Sequence, residues 1–70
     1  MLAQNMAHVR TSDEARRELE RRGKTIRQFA REIGVSERIV YGLLQGRFLG
    51  RRGQAHKAAV LLGIKDGVIE

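Results

Sequence analysis

The chain has 70 residues, a net charge of +6, no cysteine and no proline. Without cysteine there is no disulfide, no thiolate nucleophile and no thiolate metal ligand, and two histidines alone make a poor structural zinc site. No apolar run nears the roughly 20 residues that span a bilayer, and Met1 to Arg10 lacks the basic-then-apolar order of a signal peptide, so the expectation is a cytoplasmic protein with no membrane partner, metal or cofactor.

A chain this short buries only about 60% of its unfolded surface and builds one small core. Glycine supplies its punctuation. Gly23, Gly34, Gly46 and Gly63 each follow a segment with helical signals, as left-handed residues past helix ends do. Residues 1–10 are read as a flexible arm.

The spacing predicts a first helix over Ser12 to Arg22. Thr11 and Glu14 make a capping-box pattern, with acids in the first turn and arginines in the last. Its apolar face is thin, only Ala15 and Leu19, and Asp13–Arg17 and Glu18–Arg22 are spaced as i,i+4 ion pairs. A second helix over Ile26 to Ile33 is capped by Thr25 with Gln28 completing the box, and Ile26, Phe29, Ala30 and Ile33 form one stripe. A third, from Glu37 to about Gln45, is capped by Ser36 and buries Val40, Leu43 and Leu44. A fourth, from about Gln54 to Leu62, buries Ala55, Ala58, Ala59, Leu61 and Leu62. A domain over 11–65 and a tail over 66–70 complete the chain.

The charge is uneven along this layout. Residues 1–37 carry eight basic and six acidic groups, whereas 38–65 carry Arg38, Arg47, Arg51, Arg52, Lys57 and Lys65 with no acid. Such a segment fits a polyanion binder, and arginine's planar fork suits phosphates and guanine edges. The same excess also fits a plain solubilising surface.

Ile26 to Gly46 is the informative stretch. Two short helices are joined by Gly34-Val35-Ser36, a linker short enough to cross them steeply. Ala30 is small where the third helix must approach, and Val35 points inward. Ser36, Glu37, Arg38, Tyr41, Gly42 and Gln45 are left for the third helix's outer face.

This stretch resembles the helix-turn-helix of lambda-repressor-like DNA-binding domains. The run Phe29-Ala30-Arg31, Gly34, Ser36 and Val40-Tyr41-Gly42-Leu43-Leu44-Gln45-Gly46-Arg47 is similar to small DNA-binding proteins of Mu-like phages and prophages. Gly50-Arg51-Arg52-Gly53-Gln54-Ala55-His56-Lys57 and Ala59 to Lys65 extend the resemblance, which covers about residues 23–65. It implies an all-α fold, a four- to five-helix lambda-repressor-like helix-turn-helix domain. The implied activity is sequence-specific binding of double-stranded DNA by a phage or prophage transcriptional regulator, with no enzymatic step. The chain is too short for the fifth helix on which many such domains dimerise, so a weak homodimer on DNA stays open.

With geometry and resemblance together, Ser36, Glu37, Arg38, Tyr41 and Gln45 are the expected base-contacting residues. Arg38 can fork onto guanine and Gln45 onto adenine. Glu37 serves either the helix dipole or a cytosine edge, and Tyr41 either stacks or meets a phosphate. Thr25, Arg27 and Gln28 at the start of the second helix are the expected phosphate contacts, with Arg47, Arg51 and Arg52 in the glycine-rich loop.

Gly23-Lys24-Thr25 looks like the end of a phosphate-binding loop, but Glu18 stands where that motif needs its first glycine. His56 reads as a packing or capping histidine rather than a catalytic one. Phe48 either anchors its loop on the core or inserts beside DNA. An alternative is a protein-interaction adaptor on the same scaffold, for which only Ile39 and Phe48 hint at an exposed apolar face.

Overall fold

The computed structural model describes residues 9–69. Among them are four α-helices and no strand: α1 (Ser12–Arg21), α2 (Ile26–Ile33), α3 (Glu37–Leu44) and α4 (Gly53–Leu62). No helix there is long and apolar enough to cross a membrane.

Local chemistry sets where each helix starts. Thr11 Oγ1 accepts from the Glu14 amide while Glu14 Oε1 accepts from the Thr11 amide, and Thr25 and Gln28 repeat the arrangement on α2. Ser36 Oγ accepts from the Ile39 amide at 3.2 Å. α4 starts without a side-chain cap. The four glycines expected past helix ends all have positive φ.

Val40, Leu43 and Leu44 on α3 are fully buried, with Ala58 and Ala59 of α4 against them. Ala15 and Leu19 of α1, Phe29 and Ala30 of α2, Val35 of the turn and Leu62 complete the core. Ile26, Ile33, Ile39 and Ile64 close its edges. α3 packs against each of the other three helices. It is the hub of the fold.

Four sequence expectations are corrected. Ala55, expected to be buried, is only partly buried at the start of α4. Gly42 is buried rather than outward: a Cβ there would lie 2.3 Å from the Phe48 ring, which folds back onto α3. Leu61, expected inside, is 43% exposed, and Leu62, at 2%, takes the inner position of the last turn. Asp13 and Arg17 do not pair; Glu18 draws both Arg21 and Arg22 instead.

The chain ends are tied to α4. Of the arm expected over 1–10, residues 1–8 lie outside the described residues. The Arg10 amide donates to Gly63 O at 2.8 Å and its guanidinium to Leu62 O at 3.0 Å, placing a cation at the C-terminus of α4. Beyond α4, His56 Nε2 bonds Val68 O at 2.8 Å.

Gly50 shows what the close packing demands. Its φ is +68°, and a Cβ would meet Ala59 Cβ at 2.8 Å and Ala55 O at 2.9 Å. Gly23 shares the left-handed φ but has open space around it. Gly23→Ala should therefore cost about 1 kcal/mol, the left-handed strain alone, and Gly50→Ala about 3 kcal/mol, because α4 must also give way. Urea unfolding of the two variants measures the difference, and equal losses would mean that Gly50 does not pack on α4.

Candidate nucleic-acid interface

The outer face of α3 exposes Glu37, Arg38, Tyr41 and Gln45, which border an open hollow at Glu37, Arg38 and Tyr41. Arg38 has no carboxylate within 4.0 Å among the described residues, so its whole guanidinium fork is free. Gln45 Nε2 donates to Tyr41 Oη at 2.9 Å, one helical turn away. That bond fixes both side chains yet leaves Gln45 its carbonyl oxygen and a second N–H, the pair an adenine edge requires. The Tyr41 hydroxyl keeps its own hydrogen to donate.

Glu37 is held differently. Its carboxylate lies 3.7 Å from the Arg27 guanidinium, so it links the start of α3 to the start of α2. Both groups are exposed and the pair is weak, but it favours Glu37 as a brace over Glu37 as a cytosine reader.

The expected phosphate contacts at α2 are partly engaged. Thr25 and Gln28 use their acceptor atoms in the capping box. Each oxygen keeps one lone pair, and the Thr25 hydroxyl hydrogen and the Gln28 amide hydrogens remain as donors. Phosphate oxygens only accept, so the cap leaves outward the groups a phosphate can use. Ser36, with its oxygen accepting from Ile39, is in the same position.

Arg47, Arg51 and Arg52 are exposed in the loop between α3 and α4, with no carboxylate partner among the described residues. The Arg47 amide donates to Gly42 O at 2.8 Å, and Lys65 Nζ donates to Gly50 O at 2.8 Å and Arg51 O at 3.4 Å. The loop backbone is thus pinned while its guanidinium groups stay in solvent. α3 has a similar brace at its C-terminus: Ser12 Oγ donates to Leu43 O at 3.1 Å and Arg16 Nη2 to Leu44 O at 2.9 Å.

Sequence reasoning missed Ser12, Arg16 and Lys65. Arg16 belongs to a row of surface arginines, and nothing local marks the one that reaches 28 residues ahead. Lys65 reads as part of the basic excess, yet its ammonium is used inside the molecule.

Among the described residues no three His, Asp or Glu side chains form a group able to hold a metal ion. No family model matches the chain, and no curated protein or solved structure matches it.

The acids lie mostly on α1 and α2, four of them engaged: Glu14 in its cap, Glu18 under Arg21 and Arg22, Glu32 with Lys24, and Glu37 with Arg27. Hydrogen bonds from Arg21 and then Arg22 pull the Glu18 carboxyl from its ordinary 4.5 to about 2. Because its folded value lies below its unfolded one, Glu18 contributes to stability above about pH 4.5, and that contribution is lost as pH falls towards 2. The Glu18 carboxyl resonance should titrate with a midpoint near 2, and Glu18→Gln should remove this part of the acid sensitivity. A midpoint near 4.5 would show that the two arginines do not hold it.

Proposed function

We propose that this chain is a sequence-specific double-stranded DNA-binding protein. In this reading α2 and α3 form a lambda-repressor-like helix-turn-helix, with α3 in the major groove. The observation that carries it is the exposed α3 face of Arg38, Tyr41 and Gln45, rich in unspent donors, beside an acid-free loop bearing Arg47, Arg51 and Arg52. Forked and amide side chains suit base edges, and free arginines suit the flanking phosphates. The resemblance of residues 23–65 to small DNA-binding proteins of Mu-like phages supports a transcriptional regulator of phage or prophage genes. No reaction is assigned to it.

The roles divide by position. Arg38, Tyr41 and Gln45 read bases. Thr25, Arg27, Gln28 and Ser36 hold one strand's phosphates at the start of α2 and the turn. Arg47, Arg51 and Arg52 hold the backbone beyond the C-terminus of α3.

Selection from randomised duplexes gives the preferred site, and titration on that site and a scrambled one tests the roles. Arg38→Ala should cost about 1–3 kcal/mol on the preferred site, much less on the scrambled one, and relax preference at one base pair. Arg38→Lys should restore only part of the discrimination, because a point charge lacks the fork. Equal losses on both duplexes would make Arg38 a phosphate contact.

Arg51→Ala or Arg52→Ala should instead weaken both duplexes alike and reduce the slope of log K against log salt by about one per lost phosphate contact. A change in base preference from either would contradict the backbone role of the loop. Failure of the wild-type chain to bind any duplex would leave the adaptor reading.

A further inference from the structure

We propose that Leu49 is an apolar wedge that enters the minor groove of DNA bound by α3 and opens a base step, bending the duplex. The proposal rests on the DNA-binding reading above and adds a contact and a deformation to it.

Leu49 is 70% exposed, and its backbone is fixed on both sides. Before it, the Phe48 ring lies on Gly42, and the Arg47 amide is bonded to Gly42 O. After it, Gly50 is buried against Ala55 and Ala59 of α4, and Lys65 holds the Gly50 and Arg51 carbonyls. A leucine with most of its surface in water adds almost nothing to the core, yet α3, α4 and Lys65 together present it.

The surroundings specify the partner. Arg47 stands on one side of Leu49 and Arg51 and Arg52 on the other, all exposed, with no acid anywhere between Arg38 and Lys65. Val68 is equally bare at 72%, but acids stand two residues to either side of it, Asp66 and Glu70, with Lys65 beyond Asp66. An apolar tip flanked in the chain by exposed arginines fits a surface that is negative at its rims and apolar between them. The minor groove, walled by phosphates and floored by stacked bases, is such a surface.

With α3 in the major groove and its N-terminal end toward the bases, the chain leaving its C-terminus turns back toward the sugar-phosphate backbone. A minor groove lies on the far side of that backbone. With the loop arginines on the phosphates, Leu49 is the apolar side chain available to part a flexible pyrimidine–purine step there.

The test uses the full chain and a duplex of about 30 base pairs carrying the selected site, labelled at both ends for energy transfer, with 2-aminopurine at the steps flanking the α3 contact. Wild type should bend the duplex by at least about 20° and raise 2-aminopurine fluorescence at one step. Leu49→Ala, which removes only exposed surface and should fold normally, should keep the same site but lose most of the bend and the fluorescence. It should also bind about tenfold more weakly. Leu49→Phe should restore the bend. A straight duplex under bound wild type, or an equal bend with Leu49→Ala, overturns the wedge while leaving DNA binding intact. Absence of binding to every duplex overturns both.

Discussion

The burial of Val40, Leu43 and Leu44 is the constraint on which the rest of this domain depends. An eight-residue helix is not stable alone in water, because nucleation costs more than two turns of hydrogen bonds return. α3 exists because these side chains have somewhere to go, and they are the largest fully buried ones in the described chain. The other helices are arranged to provide that place. α2 meets α3 through the short turn, with Ala30 allowing close approach and Val35 sealing the corner. α4 offers Ala58 and Ala59, small enough to bring its backbone near. α1 contributes little apolar surface but closes the exposed C-terminal carbonyls with Ser12 and Arg16, and the arginine also complements the negative end of the helix dipole. Held on these sides, α3 keeps one narrow free face, so its few exposed residues are presented without the entropy of a mobile helix.

The polar groups are divided by the same logic. A capping side chain uses an oxygen lone pair to satisfy a helix amide and retains its hydrogens. Thr25, Gln28 and Ser36 therefore face solvent mainly as donors. The charges are divided too. Arg21, Arg22, Lys24 and Arg27 of the first half are engaged by carboxylates near them in the fold, whereas the loop after α3 has none within 4.0 Å among the described residues. A polyanion approaching that loop displaces only water and counterions, with no internal ion pair to break. On the α2 side it must compete with Glu37 for Arg27, at little cost because that pair is exposed and long.

Much of this was legible in the sequence because it is local. Capping boxes, glycine stops and the Ile26–Ile33 stripe are decided within four residues, and each helix end falls within one residue of its expected place. The site residues on α3 follow from the same periodicity. Gly42 escaped it, since helical spacing puts position 42 beside 41 and 45 but cannot say that a phenylalanine six residues later folds back to cover it. Leu61 failed for a related reason: the continuous apolar run Ala58 to Leu62 covers all sides of α4, and only its packing on α2 and α3 selects Leu62. Arg10, Arg16 and Lys65 act across 52, 28 and 15 residues, where sequence spacing carries no information.

These long-range bonds also change what the charge means. Arg10 and Arg16 on one side and Lys65 on the other donate to backbone carbonyls, so part of their donor capacity is used inside the molecule and their side chains are tethered there. Composition therefore overstates the free charge: among the described residues, the cations around α3 with no carboxylate partner are Arg38, Lys57 and the three loop arginines, with Arg27 shared with Glu37. On the proposed DNA-binding role, so few contacts would give modest, salt-sensitive affinity from electrostatics alone. α3 has only two turns and its inner face is committed to the core, so it would add few base contacts. The remaining source of specificity would be the shape of the DNA, read as deformation energy at positions that no side chain hydrogen-bonds. The proposed apolar tip beside α3 would be an economical way for a small fold to use it, since it needs one leucine and a fixed backbone instead of a larger interface.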